Sequence, residues 1–284
     1  MISGIFVGLS TIDLVYEVDE FPLTDSKVTA RSQAAYAGGP ATNAAITFRH
    51  LGGKAALVTS IGQHPLAALM RDELSTHDVK AFELSPDRSD LPAISAVAVN
   101  ANGQRNVISA NASRIAEYSD QVDLELLNSA SVVLVDGHLM KACIAWARAA
   151  RERGVAVVLD GGSWKLGTES LLPHVETAIC SSDFLPPRCS EPEQVIEFLT
   201  AHGVSKIAIT AGSKPIRFMW EQGSGSIPVP EIPTVDTTGA GDIFHGAYSY
   251  STATGLSFPD ALAQAASVAS NSCRFRGTRA WMNH

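Results

Sequence analysis

The sequence has 284 residues, of which 45% are hydrophobic and 18% are charged. A chain of this length and apolar content can bury a large core, which excludes bulk disorder and low complexity. The formal net charge of −8 argues against a nucleic-acid partner, because phosphate backbones usually require a basic surface. A small anionic ligand remains compatible with this charge, since a few local cations or backbone amides can hold one phosphate.

The cysteines and the amino terminus favour an intracellular location. Cys143, Cys180, Cys189 and Cys273 are widely scattered and lack the spacing of a zinc site, so we expect reduced thiols. The apolar segment 2–9 is too short to cross a membrane and has no basic flank, so we interpret it as a strand. The sequence therefore predicts a cytoplasmic protein without a membrane partner.

Strand-like runs alternate with helical patterns along the chain, as in a parallel sheet covered by helices. The continuous apolar runs 132–135 and 155–159 flank a helical pattern at 141–153, which predicts a βαβ unit. The other predicted elements are strands at 5–8, 55–59, 79–84 and 206–210, and helices from Pro40 to Leu51, at about 65–77 and 191–202, and after Gly239 and Pro259.

Two stretches break this alternation. Residues 14–18 with Lys27 to Arg31, and later 94–99 with 105–109, are predicted to form short hairpin strands. Antiparallel pieces inside a βαβ protein suggest a small sheet that stands off the main core. We interpret it as a lid over an active site, and an edge extension of the main sheet is the alternative.

The lid strands are expected to be insertions at about 13–36 and 93–110 in a single domain that spans 1–284. The sequence contains no internal repeat, Pro-rich linker or charge block that would divide the chain. An open edge of the lid also favours a homodimer that pairs through the lid.

The segment 235–244 carries the strongest chemical signal. Gly239, Ala240 and Gly241 stand where a helix is predicted to begin, so their backbone N–H groups are expected to face an anion. Asp242 follows in the first turn, where a carboxylate suits the proton of an attacking hydroxyl better than a phosphate. Phosphoryl transfer to an alcohol needs both groups. A glycine-rich turn with an aspartate cap is the alternative.

Two common nucleotide-binding motifs are missing from the sequence. There is no Gly-x4-Gly-Lys-Ser/Thr segment, which excludes a P-loop mechanism. No Gly-x-Gly-x-x-Gly follows the first strand, which argues against a nicotinamide site. A phosphate-binding helix start of another kind is therefore expected.

Two motifs resemble those of one known family. Asp-Thr-Thr-Gly-Ala-Gly-Asp-x-Phe at 236–244 resembles the C-terminal signature of the PfkB/ribokinase family of carbohydrate and nucleoside kinases. Gly-Gly-Pro-Ala-Thr-Asn at 38–43 resembles its N-terminal Gly-Gly motif. The resemblance extends over nearly the whole chain. It implies an α/β fold with a three-layer α/β/α ribokinase-like core, a mainly parallel sheet and a small β-sheet lid.

The resemblance also implies an ATP-dependent kinase that phosphorylates a hydroxyl, expected to be a primary one, of a ketose or another small sugar. It implies Mg²⁺ and a monovalent cation such as K⁺ as cofactors. Asp242 would be the catalytic base, with Gly239, Ala240 and Gly241 as anion hole and Asp236 near the monovalent cation. The positions implied for sugar are Asp13, Gly38, Gly39 and Asn43, and those implied for nucleotide are Thr210, Gly212, Gly241 and Gly277.

Some of these residues could have purely structural roles instead. Asp13 could cap a turn, and Asn43 could be an ordinary residue of a first helical turn. Arg105 is predicted to reach the substrate from the second lid hairpin, with a solvated edge charge as the alternative. His138 follows a strand whose end faces the substrate side, which suggests a further substrate contact. His245 is expected to pack or hydrogen-bond nearby.

The sequence also departs from the family. Most relatives carry an Asn-x-x-Glu motif that organises water around magnesium, whereas residues 178–185 here contain neither the Asn nor the Glu. A nucleoside kinase of the same family is one alternative function. A catalytically weak protein that binds sugar or nucleotide as a regulator is another.

Overall fold

The computed structural model describes residues 2–113, 115 and 118–284. Its strands are β1 Ser3–Val7, β2 Thr11–Glu17, β3 Ser32–Gly38, β4 Lys54–Thr59, β5 Lys80–Glu83, β6 Ile94–Val99, β7 Arg105–Ser109, β8 Val132–Val135, β9 Ala156–Gly161, β10 Thr177–Ser181, β11 Lys206–Ala211, β12 Lys214–Trp220 and β13 Gly223–Ile227. Its helices are α1 Pro40–His50, α2 Ala67–Thr76, α3 Leu124–Asn128, α4 Met140–Glu152, α5 Thr168–Leu171, α6 Pro192–Ala201, α7 Ala240–Ala253 and α8 Phe258–Ser272.

The larger sheet has the strand order β13-β12-β11-β10-β9-β8-β1-β4-β5. Neighbouring strands from β11 to β5 are parallel, and only β12 and β13 are antiparallel at one edge. Parallel strands end at the same edge of a sheet, so the loops that follow them collect on one side of the molecule. The predicted βαβ unit is confirmed as β8, α4 and β9.

Helices cover both faces of this sheet, because its central strands are apolar on both sides. In β8, Val133 and Val135 belong to the core cluster that contains Trp146 of α4. Val132 and Leu134 belong to the opposite cluster, which contains residues of α1, α2, α7 and α8. The predicted three-layer α/β/α core with a mainly parallel sheet is confirmed.

A separate small sheet has the order β3-β2-β6-β7. The predicted strands 94–99 and 105–109 are confirmed, but the expectation of a strand at Lys27 to Arg31 was wrong. The strand is β3, where Ser32 pairs with Glu17 and Gly38 with Thr11. Its alanine-rich sequence has little strand signal of its own, and the exposed edge of β2 supplies the hydrogen bonds that make it a strand. That this sheet moves as a lid stays a prediction.

Sequence patterns did not predict the hairpin formed by β12 and β13. The strand β13 contains Gly223 and Gly225 and has little apolar character, so only its pairing with β12 defines it. In the described part of the chain, no helix is long and apolar enough to cross a membrane.

The helices α1 and α7 pack closely, and this contact brings the two glycine motifs together. A Cβ added at Gly246 of α7 would lie 2.4 Å from the backbone oxygen of Ala44 in α1. Glycine at this point therefore sets the distance between the two helices.

We expect Gly246→Ala to lower the free energy of unfolding by about 1–3 kcal/mol, because the added methyl group forces the helices apart. Urea unfolding would measure this loss. Ser267→Ala, at an exposed position on α8, is the control and should change stability by less than about 0.5 kcal/mol. Equal stability of the two variants would contradict the close approach.

Candidate active site

Two cavities meet at the first turn of α7. The smaller has a volume of about 220 Å³ and contains Asp13 and Asn43 in its lining. The larger has a volume of about 700 Å³ and lies on the other side of the same helix start. Arg105, Gly241 and Asp242 line both cavities. A group at Asp242 can therefore contact a molecule in either space.

Asp242 is held by a hydrogen bond from α1. The side-chain Nδ2 of Asn43 donates to Asp242 Oδ2 over 2.7 Å. Asn43 is almost fully buried, whereas Asp242 retains partial exposure toward the cavities. The position in the first turn of α7 places the carboxylate at the positive end of the helix dipole.

The electrostatic surroundings raise the pKa of Asp242 to about 7. Burial is the main cause, and the carboxylate of Asp160 adds to it by repulsion. The hydrogen bond from Asn43 and the nearby His245 act in the opposite direction. A carboxyl group with this pKa can accept and return a proton near neutral pH.

The glycines before Asp242 form the turn that starts α7. Gly239 is the N-cap residue and has a φ of 69°, in the left-handed region that favours glycine. The N–H of Ala240 donates to the oxygen of Thr237 over 3.2 Å, so an anion would compete with this carbonyl. Within the described residues, the N–H groups of Gly239 and Gly241 have no protein acceptor. These two amides are the free donors of the expected anion hole.

Asp236 joins this turn to the C-terminal segment. Its Oδ1 accepts the N–H of Thr238 and its Oδ2 accepts the N–H of Gly277, each over 2.8 Å. The carboxylate is 5% exposed. Gly277, expected at the nucleotide, lies outside the lining of both cavities and is placed here as a partner of Asp236.

In the smaller cavity, Asp13 depends on a glycine opposite it. A Cβ at Gly38 would lie 1.9 Å from Asp13 Oδ2, so only glycine leaves room for this carboxylate. Thr11 Oγ1 donates to Asp13 Oδ1 over 2.6 Å, and burial raises the pKa of the Asp13 carboxyl. Ser95, which also lines this cavity, is a second hydrogen-bond partner of the carboxyl.

Gly39 is the N-cap residue of α1 and has a φ of 93°. A Cβ at this position would also lie 2.3 Å from the backbone oxygen of Leu9. The second glycine of the motif therefore allows both the turn and the close approach of α1 to the segment between β1 and β2. This turn places Asn43 opposite Asp242.

Arg105 links the small sheet to the α7 turn. It lies on β7, and its guanidinium donates to the backbone oxygen of Thr237 and, over 3.0 Å, to the hydroxyl of the same residue. The predicted substrate contact of Arg105 stays a prediction, but the residue lies where both cavities open.

The larger cavity is lined by the expected nucleotide positions Thr210 and Gly212. Thr210 Oγ1 donates to the oxygen of Cys180 over 3.3 Å, and Gly212 has a φ of 60° in the turn after β11. Apolar walls that the sequence did not reveal come from the β12–β13 region and from α8, at Ile216, Val229, Ile232, Ala266 and Ala269. They lie far apart in sequence, so no motif could have identified them.

His138 lies outside the lining of both cavities. Its backbone N–H donates to Asp136 Oδ1 over 2.9 Å, and burial lowers the pKa of its ring. Its predicted contact with substrate has no support from this position.

His245 hydrogen-bonds nearby, as expected. Its Nδ1 lies 2.7 Å from the oxygen of Gly241 and its Nε2 lies 3.1 Å from the oxygen of Ile179. The ring therefore fixes the start of α7 against β10. Asp160 Oδ2 lies 3.4 Å from the same Nδ1.

Magnesium requires oxygen ligands near the phosphates that it would neutralise. Within 2–113, 115 and 118–284, no group of three or more His, Cys, Asp or Glu side chains could hold a metal ion. Asp160 lines the larger cavity and is 5% exposed, and its Oδ2, which makes no hydrogen bond, lies beside His245 Nδ1. One carboxylate at this position fits a magnesium ion whose other ligands are phosphate oxygens and water.

The sequence also matches known proteins. Residues 1–283 match the model of the pfkB family carbohydrate kinases. A ribokinase of Arabidopsis thaliana is 27% identical over 96% of this chain and 76% of its own length. A fructokinase of Solanum tuberosum is 26% identical over 86% of this chain and 80% of its own. The chain therefore belongs to the pfkB family of carbohydrate kinases. Its class of activity is that of an ATP-dependent carbohydrate kinase.

Solved structures share the fold. A candidate ribokinase from Agrobacterium tumefaciens has a TM-score of 0.89 at 23% identity, with coverage of 99% of this chain and 94% of that one. The Arabidopsis thaliana ribokinase complexed with ribose and ATP has a TM-score of 0.77 at 22% identity, with coverage of 97% and 94%. These similarities confirm the ribokinase-like fold.

We expect Asp236→Asn to loosen the α7 turn. An amide offers one accepting oxygen, so either Thr238 or Gly277 loses its acceptor, at a cost of about 1–3 kcal/mol. Hydrogen exchange should become faster at both backbone amides. Asp87→Asn, at an exposed position, is the control, and unchanged exchange in Asp236→Asn would show that the carboxylate does not tie the two segments.

Proposed function

We propose that this protein transfers the terminal phosphoryl group of ATP to a primary hydroxyl of a small sugar such as a ketose. The sugar would occupy the smaller cavity and the nucleotide the larger. The observation that carries this proposal is the position of Asp242, which lines both cavities and has the pKa of a base that works near neutral pH.

Polar groups in the smaller cavity support a polyhydroxylated ligand. Asp13 can accept hydrogen bonds from neighbouring hydroxyls. Gly38 lies directly against Asp13, although neither Gly38 nor Gly39 is in the lining of this cavity. Asn43 adds an amide next to the reacting centre. A volume of about 220 Å³ fits a single sugar ring better than a larger ligand.

The reaction would begin with the sugar hydroxyl facing the free Oδ1 of Asp242. This oxygen accepts the hydroxyl proton as the new bond to phosphorus forms. The free amides of Gly239 and Gly241, at the positive end of α7, would stabilise the negative charge on the phosphoryl group in transfer. The bond to the leaving ADP breaks as this charge passes to the nucleotide.

ATP is supported as the donor by the family and by the apolar walls of the larger cavity, which suit a base. Magnesium, when bound, neutralises phosphate charge. Asp160 is the side chain in the larger cavity that would hold it, in place of the missing Asn-x-x-Glu motif. Asp236, with nearby backbone carbonyls, would hold a monovalent cation such as K⁺.

The small sheet would act as a lid, with Arg105 as its contact to the α7 turn. Closure excludes water and so protects ATP from hydrolysis. Its outer strand β7 exposes Val107 and Ile108, at 52% and 79%. These side chains support the prediction of a homodimer through the lid.

The function can be tested by release of ADP from Mg-ATP in the presence of K⁺. The acceptors would be D-fructose, D-ribose, other ketoses and pentoses, and adenosine. Turnover with one sugar supports the proposal. Turnover with adenosine alone would favour a nucleoside kinase, and binding of sugar and ATP without turnover would favour a regulator.

We expect Asp242→Asn to lower kcat by about 100-fold or more, because the amide cannot accept the hydroxyl proton. Its stability at pH 8 should equal or exceed that of the wild type, because the ionised carboxylate with a raised pKa destabilises the fold. Asp260→Asn, in the first turn of α8, is the matched control and should retain turnover. Near-normal kcat in Asp242→Asn would exclude it as the base.

The activity should depend on pH through Asp242. Because only the ionised carboxylate accepts a proton and its pKa is raised to about 7, kcat/KM should fall as the pH decreases below about 7 and level off above it. Initial rates with stable enzyme across pH 5–9 would measure this limb. A midpoint near the ordinary carboxyl value of about 4 would contradict this assignment.

A further inference from the structure

A buried arginine from the C-terminal segment contacts the partner of the proposed base. Arg279 lies directly before a short turn at the end of the chain and is 11% exposed in its side chain. Its Nη1 donates to Asn43 Oδ1 over 2.9 Å, and Asn43 Nδ2 donates to Asp242 Oδ2 over 2.7 Å. These bonds connect three separate segments of the chain in one line.

The chemistry of arginine fixes the orientation of the asparagine amide. A guanidinium has only donors and keeps its charge at every relevant pH, so the atom of Asn43 that faces Arg279 must be its oxygen. The NH₂ group of Asn43 must then face Asp242. If the amide were free to rotate, its oxygen could face the carboxyl group instead.

This orientation decides which state of Asp242 is supported. An NH₂ group can only donate, so the hydrogen bond favours the carboxylate that accepts a proton over the protonated acid. The bond occupies Oδ2 and leaves Oδ1 for the sugar hydroxyl. The amide thus sets both the charge and the direction of the base.

Arg279 is itself held in place from α2. Its Nε donates to Glu73 Oε1 over 2.8 Å, and the Glu73 side chain is 16% exposed. The same pair holds both backbone polar groups of one residue: Arg279 Nη2 donates to the oxygen of Ala37 over 2.6 Å, and the N–H of Ala37 donates to Glu73 Oε2. Ala37 directly precedes the Gly38–Gly39 turn.

We propose that Arg279, held by Glu73, is a positioning residue that orients the Asn43 amide toward Asp242. It also fixes the C-terminal end of β3, at Ala37, next to this amide. This inference rests on the proposed role of Asp242 as the base. The guanidinium reaches acceptors on three segments through three different nitrogens, at Glu73, Asn43 and Ala37. A lysine ammonium carries the same charge but cannot span this arrangement.

The test uses Arg279→Lys and Arg279→Met with the sugar that supports turnover of the wild type. If position matters, both variants lower kcat by about tenfold or more and change the KM for ATP little. In a double-mutant cycle with Asn43→Ala, either substitution should have little further effect on kcat. Wild-type kcat in Arg279→Lys would show that charge alone matters, and additive effects would show that Arg279 does not act through Asn43; either result overturns the proposal.

A measurement without substrate separates this inference from the proposed function. The side-chain amide of Asn43, assigned in nitrogen–proton NMR by its loss in Asn43→Ala, should exchange slowly in the wild type and much faster in Arg279→Lys. Unchanged exchange overturns the inference even if no sugar is phosphorylated. Lys206→Met is the control. It removes the partly buried ion pair with Glu176, which lies away from both cavities, and should alter neither kcat nor this exchange.

If the arginine variants unfold, Glu73→Gln replaces them, because it keeps the guanidinium but weakens the contact that holds it. This variant is expected to lower kcat and to speed up the exchange in the same way, but to a smaller degree. Wild-type kcat and exchange in Glu73→Gln would overturn the proposal.

Discussion

The hydrogen bond from Asn43 to Asp242 is the contact on which the arrangement of the site depends, because it joins the first turns of α1 and α7. Each helix begins at a glycine with a positive φ, Gly39 or Gly239. Farther along α7, Gly246 lets the two helices approach until they nearly touch. The two cavities meet at this junction because both helix starts lie above the carboxyl edge of the same sheet.

The site concentrates negative charge that its fold must compensate. Burial raises the pKa of Asp13 and of Asp242, and Asp160 adds a third carboxylate nearby. Arg279 offsets part of this charge at Asp13, and the guanidinium of Arg105 is in the lining of both cavities. A raised carboxyl pKa costs stability at neutral pH, and the same shift makes a proton acceptor that can work there. Function and stability therefore oppose each other at this point.

Local patterns were sufficient for elements whose residues carry their own signal. The apolar runs of β1, β4 and β8 and the helix that follows Pro40 were predictable in place and type. The strand β3 and the hairpin β12–β13 were not, because their alanines and glycines become strands only when a neighbouring edge accepts their hydrogen bonds. The same limit applies to the site. The glycine-rich motif before Asp242 identified this residue as a candidate, whereas no sequence motif surrounds Glu73 or Arg279.

The sequence by itself determined the family, the α/β fold, and the two glycine motifs that begin α1 and α7, since each of these rests on local backbone requirements or on short residue patterns. Only the tertiary structure decided that Asn43 faces Asp242, that Asp236 ties Gly277 to the α7 turn, and that Asp160 lines the larger cavity beside His245. The physical reason is that hydrogen-bond partners and burial are properties of chain segments far apart in sequence. Their meeting is fixed by the packing of helices on the sheet and leaves no pattern in either segment alone.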